Sequence, residues 1–282
     1  KAEHTNEAIL DRVLKIEVPY VLELDQEMKI YQKMINRSDF KSAHIAPHTI
    51  KIASMFSIMS RLKPSAKCDL LTKLKIYNGE SVIEKGRVKN IDIKDLREEA
   101  RREEQIIDDN TREHYLEILQ DIIREEYLRI LETEIAKAFI TAYEEQAQSL
   151  FDSYLDNAES YTTRSKVKDK ITREEREPDE KFMKSIEEMI GVVGSAKDGF
   201  RNDVTAYMFA KLRKQETVDY RSYGPLKEAI EQYLITSVKD ISRIVTKSKS
   251  RDDKQKRKYS NMIETLIEEY GYNESSAEEI LT

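Results

Sequence analysis

Residues that interrupt helices or form covalent cross-links are scarce in this chain of 282 residues. It contains 7 glycines, 5 prolines, no tryptophan and one cysteine, Cys68. A single cysteine excludes a disulfide bond within the chain and a cysteine-based zinc site, which favours a reducing, cytoplasmic setting. Few glycines and prolines beside abundant Glu, Lys, Arg, Leu and Ile are typical of a helical protein.

Long apolar runs are also missing. None approaches the ~20 residues that a membrane helix needs, so we expect no membrane span. The net charge of −6 argues against a nucleic-acid partner, because such proteins are commonly basic. The first residue is Lys1 rather than Met, and we therefore expect the chain to be a fragment of a longer protein.

Phosphate-binding motifs are absent as well. A nucleotide site of the common kinds needs a glycine-rich loop whose backbone N–H groups approach the phosphates. The sequence contains neither GxxxxGK[ST] nor GxGxxG, and no HRD-type catalytic loop. We do not expect this chain alone to hydrolyse ATP.

The longest regular pattern runs from 111 to 161 without glycine or proline. Apolar residues recur there at steps of three and four, which predicts one or two long amphipathic helices. An unbroken helix would be ~75 Å long, whereas a compact chain of this length is roughly 50 Å across. The helix must therefore break or project. Its apolar positions are Tyr115, Leu119, Ile122, Tyr127, Leu131, Ile135, Phe139, Ala142, Leu150 and Tyr154.

Helical patterns fill most of the remaining sequence, so the predicted fold class is all-α: a multi-helix bundle with a long central helix. Alternating residues at 13–18 predict one short strand, which Pro19 ends. The charged segments 162–177 and 247–258 are interpreted as exposed loops or linkers. Helices are predicted at 25–35, 47–62, 70–74, 178–190, 195–212, 222–234, 238–245 and 273–281, and a further helix holds Met262, Leu266 and Ile267 and has Gly271 as its C-terminal cap.

Two histidines and the cysteine are candidate site residues. His44 and His48 have the i, i+4 spacing that can share a metal on one helix. Pro47 lies between them at a predicted helix start, so they need not share a face, and no metal site is predicted. His48 could equally contact a phosphate at a helix N-terminus. Cys68 has no base nearby in sequence and is interpreted as an inert thiol.

The segment NEAILDR at 6–12 carries a more specific signal. It ends in Leu-Asp-Arg directly before the predicted strand, and helices follow. Many AAA+ ATPases present an arginine finger in this way, and a strand followed by two or three helices is the order of an AAA+ lid. An always-charged, forked guanidinium suits contact with a γ-phosphate. Alternatively, Asp11 and Arg12 form a local ion pair.

Eight segments together resemble the PrkA-type serine protein kinase family, in the right order over nearly the whole chain. They include NEAILDR, and the AAA+ order noted above agrees with the resemblance. The other seven are VPYVL (18–22), KIYQKMI (29–35), HIAPHT (44–49), FSIMSRLK (56–63), YEEQAQSLFDSYLDN (143–157), PDEKFMKSIEE (178–188) and EYGYN (269–273).

The resemblance implies a bacterial cytoplasmic protein with an AAA+ ATPase module and a helical C-terminal region. It implies ATP-dependent serine protein kinase activity, linked to sporulation and to starvation or stress responses. ATP and Mg²⁺ would be bound by the intact protein, with the P-loop upstream of Lys1. Protein substrates and a homo-oligomer formed through the AAA+ module are implied partners. Arg12 would be the arginine finger, and Arg61 is a second candidate, a lid arginine that contacts nucleotide.

The resemblance also implies the domain plan. Residues 1–80 would form the AAA+ lid-like subdomain, with the strand as its remnant of a sheet, 81–110 a connector, and 111–282 the helical C-terminal domain. The family usually has a further helical stretch where this chain passes from Ala100 to about Glu103, so we expect a missing segment near 100–103. The alternative function is a non-catalytic helical docking or regulatory module of an AAA+ ATPase or protease-type machine.

Overall fold

The computed structural model describes residues 20–84, 87–88, 91–96, 112–168, 173–237 and 253–282. Contacts divide the chain into two compact units, Lys1–Tyr127 and Leu128–Thr282. The predicted all-α class is confirmed, since helices make up nearly all regular structure in the described residues. Arg12, the strand at 13–18, the helix at 238–245 and the break near 100–103 lie outside the described residues.

The first unit contains helices α1 (Leu24–Arg37), α2 (Thr49–Met59), α3 (Leu70–Tyr77) and most of α4 (Arg112–Ile130). A 3₁₀ turn covers Asp39–Ser42, and strands β1 (Ile83–Glu84) and β2 (Arg87–Val88) form a two-residue antiparallel hairpin. Helices α1 and α2 pack on each other, and α3 packs on α2. The apolar core consists of Leu24, Met55, Ile58, Met59, Leu62, Leu74, Tyr77, Leu96, Ile118 and Ile122.

Local sequence explains these boundaries. His48 adopts a left-handed conformation (φ 69°) as the residue before α2, so the helix starts two residues after Pro47 rather than at it. Asp69 caps α3 by accepting a hydrogen bond of 2.7 Å from the Thr72 N–H, as an N-cap carboxylate does. Gly79, in the predicted turn after α3, has a φ of +78° that glycine tolerates without strain.

The second unit contains α5 (Ala136–Ala142), α6 (Glu144–Thr163), α7 (Glu180–Glu187), α8 (Ala196–Arg213), α9 (Gly224–Ser237), α10 (Asp253–Tyr270) and α11 (Glu274–Leu281). Helix α10 packs on α5, and α8 packs on α6. Helix α9 contacts α5, α6 and α7. The largest completely buried side chains of the second unit include Tyr154, Phe139, Phe151, Met183, Ile186 and Leu226.

The predicted long helix is broken twice. A π-helical turn, Leu131–Ile135, follows α4, and Tyr143 (φ −111°, ψ 16°) separates α5 from α6. The Tyr143 ring stacks on Phe139, with centroids 4.3 Å apart. Neither break uses glycine or proline, which explains why the apolar spacing alone does not mark them. The stretch therefore consists of shorter segments, of which α4 and α6 have 19 and 20 residues.

The segment predicted as an exposed loop at 162–177 contains helix and strand residues in its described part. Helix α6 runs through Thr163 and ends where Arg164 adopts φ 54°. Strand β3 (Val167–Lys168) then pairs antiparallel with β4 (Glu175–Arg176), with Val167 opposite Arg176. Val167 is buried and contacts α6 through the hairpin, so one apolar residue anchors an otherwise charged segment.

Candidate functional site

Arg61, the sequence candidate for a lid arginine, lies two residues beyond the end of α2 in a polar cluster with α1. Its Nη2 donates to Glu27 Oε1 (3.1 Å) and to Ser57 Oγ (2.6 Å), and Ser57 Oγ donates to the same Glu27 oxygen (3.0 Å). The guanidinium also lies over the Tyr20 ring, 5.0 Å from its centroid. The Glu27 side chain is 5% exposed and that of Arg61 is 30% exposed.

This arrangement holds the guanidinium while leaving part of it open. In its hydrogen bonds to described residues Arg61 donates from Nη2, and these bonds leave its Nε and Nη1 for another acceptor. A guanidinium held by a carboxylate on one edge is well suited to bind a phosphate oxygen on the other. The C-terminal end of α2 carries a partial negative charge, which favours the arginine itself. Within the described residues the cluster offers one cation, not a complete phosphate site.

A second cluster surrounds Glu126 on α4. Lys51 Nζ donates to both carboxylate oxygens (2.8 and 3.1 Å), and His48 Nδ1 lies 2.8 Å from Oε1. The Glu126 side chain is 2% exposed. On the next residue, Glu125 pairs with Lys75. His48 therefore faces a buried carboxylate, and His44 is exposed.

No group of three or more His, Cys, Asp or Glu side chains is placed to hold a metal ion among the described residues. Cys68 is half-buried, is not part of a disulfide, and packs against the core of the first unit. Within the part of the chain that the structure describes, no helix combines the length and apolar character of a membrane span.

The second unit has a fully buried charged pair that sequence reasoning missed. Arg201 on α8 donates from Nε (2.7 Å) and Nη2 (3.0 Å) to the two oxygens of Glu187, at the end of α7. The Tyr154 hydroxyl donates to Glu187 Oε1 at 2.9 Å. The side chains of Arg201 and Glu187 are 3% and 0% exposed.

Burial and charge shift the pKa values in this network. Burial raises the pKa of Tyr154, and the neighbouring Glu187 carboxylate raises it further. Burial opposes the charge of Arg201, but its hydrogen bonds to Glu187 prevail and its pKa is raised. A signal was present in the sequence, because Arg201 is spaced three and seven residues from Val204 and Met208, on the apolar face of α8.

Two family models match this chain. The description "PrkA AAA domain" applies to residues 1–69, and "PrkA serine protein kinase C-terminal domain" to residues 100–282. The chain belongs to the PrkA family. Arg61 and its partners Glu27 and Ser57 all lie in the part that matches the PrkA AAA domain.

Curated PrkA relatives carry two kinds of name. The chain is 38% identical to the "ATP-dependent protease PrkA" of Bacillus subtilis strain 168, over 98% of this chain and 50% of that protein. It is 25% identical to the "Serine/threonine kinase YeaG" of Escherichia coli K12, over 95% of this chain and 48% of that protein. The chain thus spans about half the length of these relatives. A comparison with solved structures finds no match.

The domain boundaries remain predictions. The PrkA AAA match ends at 69 and the C-terminal match begins at 100, while the contact-based division falls after Tyr127. The alignment with the Bacillus subtilis protein covers 319 positions, more than the 282 residues of this chain, so it contains gaps. The missing segment near 100–103 stays a prediction.

Proposed function

We propose that the intact protein is an ATP-dependent enzyme that acts on protein substrates, and that this chain supplies its AAA lid and its substrate-binding helical domain. The observation that carries the proposal is the match of one chain to both the PrkA AAA domain and the PrkA C-terminal domain. The names of the relatives agree at this level, since one is a protease that depends on ATP and others are serine/threonine kinases.

On the nucleotide side, ATP with Mg²⁺ would bind to the AAA module of a homo-oligomer. Arg12 would serve the nucleotide of a neighbouring subunit, and Arg61 would contact nucleotide from the lid. Support for Arg61 comes from its 30% exposed side chain and from the orientation that Glu27 gives it. Bound ATP would supply the free energy and the phosphoryl group. The described residues of this chain would orient the nucleotide and contribute positive charge near its phosphates.

Two finer activities follow from different observations. A serine protein kinase is favoured by the description of the C-terminal family model and by the names of the Escherichia coli relatives. A protease-type machine, in which these helices only dock protein, is favoured by the name of the 38% identical relative. In either case we propose that the second unit binds the protein substrate, in the cytoplasm, with a role in sporulation or stress that rests on the family resemblance.

One set of assays separates these activities. Full-length protein is incubated with radiolabelled ATP and a protein such as casein, and phosphate release, label on serine and protein fragments are measured. Label transfer without fragments identifies the kinase, and ATP-dependent fragments without label identify the protease. If neither product forms while the protein is folded, the proposal is wrong.

The arginine assignments are tested in the same assays. Arg12→Ala should lower ATP turnover on the order of 10³-fold, as removal of an arginine finger does. Arg61→Ala should raise the KM for ATP, because one charged contact to the phosphates is lost. Arg213→Ala, which removes an exposed arginine at the end of α8, is the matched control and should change neither. Turnover that survives Arg12→Ala would remove the finger assignment.

A further inference from the structure

A cavity of about 330 Å³ opens in the second unit where the start of α7 meets the start of α8. Basic side chains outnumber acidic ones on its walls, in a chain whose overall net charge is −6. The charged residues that line it are Lys181, Lys184, Lys197, Arg201, Glu180 and Asp198.

Most of the lysine side chains that line this cavity have no close ion-pair partner among the described residues. Lys184 has one long i, i+4 contact of 3.6 Å with Glu188. Lys181 and Lys197 form no ion pair with any described residue. Of the two acidic residues, Asp198 already accepts a hydrogen bond from the Tyr161 hydroxyl at 2.8 Å, and that bond raises the pKa of Tyr161. Lys181 and Lys197 thus lack, among the described residues, the carboxylate partner that usually neutralises a lysine.

Arg201 places a rigid donor at the base of the cavity. The residue is 2% exposed, with Nε and Nη2 bound to Glu187 and its face covered by the Tyr161 ring, 4.5 Å from the centroid. Its Nη1 makes no hydrogen bond to the described protein, although the residue lines the cavity. A buried guanidinium that is fixed on two sides therefore keeps its Nη1 group without an acceptor among the described residues, in a residue that lines the cavity.

We propose that this cavity binds a phosphoryl group, either free phosphate or the phosphate monoester of a phosphorylated serine or threonine. Arg and Lys donors around one small space bind such a dianion through charge-assisted hydrogen bonds. Gly194, which also lines the cavity, lies just before α8, whose N-terminal dipole favours an anion. The volume lies at the low end of the roughly 300–1,000 Å³ of small-molecule sites, so a phosphoryl group with a short organic body fits.

Binding is measured without ATP, which makes the test independent of the enzymatic proposal. Inorganic phosphate, a phosphoserine peptide and the same peptide without phosphate are titrated into the 282-residue chain and followed by calorimetry and phosphorus NMR. The charge-matched variants are Lys181→Ala/Lys197→Ala in the cavity and Lys137→Ala/Lys214→Ala on exposed positions elsewhere in the second unit. The cavity variant should bind at least about tenfold more weakly, and the control should bind like the parent chain.

The two sources of the phosphoryl group give different results. Tighter binding of the phosphoserine peptide than of inorganic phosphate identifies a phosphorylated protein segment, and equal or weaker binding identifies free phosphate. Absence of binding to both phosphate-containing probes at millimolar concentration overturns the proposal. So does an equal loss of affinity in the cavity and control variants, because phosphate would then be attracted by net charge alone. Circular dichroism of both variants checks that the helices are intact.

Discussion

Two pairs of glutamate and arginine, one in each unit, show how the same two residue types serve different purposes. In the first unit, Arg61 touches Glu27 through one nitrogen and keeps a 30% exposed side chain. In the second unit, Arg201 donates hydrogen bonds to both carboxylate oxygens of Glu187, and the side chains of Arg201 and Glu187 are 3% and 0% exposed. The first arginine is partly open to solvent, whereas the second is held by packing and by Glu187 and keeps only Nη1 without an acceptor among the described residues.

Solvent exposure explains the difference. Water reaches the Arg61 side but not the Glu27 side of the first pair, so the remaining donors of Arg61 can bind a phosphate while Nη2 keeps its contact to Glu27. In a buried pair the attraction between the two ions offsets their large desolvation cost, so removal of either partner strongly reduces the free energy of unfolding. We infer that the Glu187–Arg201 pair maintains the second unit and that the Glu27–Arg61 pair is available for function.

The largest effect on stability is expected when the buried arginine is removed. Arg201→Met leaves the Glu187 carboxylate buried without its cation, which should reduce the stability of the second unit by about 3–5 kcal/mol. The chain has two units and need not unfold in one step. Hydrogen exchange of α7 and α8, measured in the whole chain, is therefore the appropriate readout.

The control for this change removes both charges. Glu187→Met/Arg201→Met should lose much less stability than Arg201→Met, because no ion is left unpaired in the core. If the single and double variants lose the same amount, the loss arises from packing rather than from an uncompensated charge. The contrast between the two units would then rest on side-chain volume alone.

The Glu126 cluster of the first unit should give an intermediate effect. Its carboxylate is as buried as Glu187, but its cations Lys51 and His48 are 26% and 14% exposed. Glu126→Gln removes the charge with little change of shape and should cost about 1–3 kcal/mol, seen as faster exchange in α2 and α4. The neighbouring Glu125→Gln, at a 39% exposed side chain, should cost less than about 1 kcal/mol.

The sequence predicts the helices well and the polar clusters poorly, for physical reasons. Apolar spacing locates α1, α7 and α8, because burial of one face is a local property of the chain. The partners of Arg61 and Arg201 depend on which helices pack together, and Glu27 is 34 positions away from Arg61. The breaks at Leu131–Ile135 and Tyr143 use ordinary residues, so composition does not reveal them.

The Tyr154 hydroxyl, which donates to Glu187, makes the stability of the second unit depend on pH. Burial and the Glu187 carboxylate raise its pKa in the folded chain, so its contribution is complete below about pH 10, the ordinary tyrosine pKa. Above that pH the unfolded chain loses the proton and the folded chain keeps it, so stability falls by about 1.4 kcal/mol per pH unit. Tyr154→Phe removes this term and one hydrogen bond worth about 0.5–1.5 kcal/mol.

Urea denaturation of the second unit between pH 8 and pH 11 measures this effect. Tyr154→Phe should be less stable than the parent chain at pH 8, and the difference should shrink or reverse as the pH rises. Tyr233→Phe, at a half-buried position of α9, is the matched control for the loss of a phenolic hydroxyl. An unchanged slope in Tyr154→Phe would show that the hydroxyl does not hold its proton against Glu187.

The smallest stability effect is expected at Arg61, and it decides whether the exposed pair is kept for function. Arg61→Gln should reduce the stability of the first unit by about 1 kcal/mol, because the Gln amide can still donate a hydrogen bond to the buried Glu27 carboxylate and Arg61 itself is partly exposed. The same variant in the full-length protein should weaken ATP binding, because the donors not used by Glu27 are lost. A large loss of stability with unchanged ATP affinity would make Arg61 a structural residue like Arg201, and the two units would then differ in degree of burial but not in purpose.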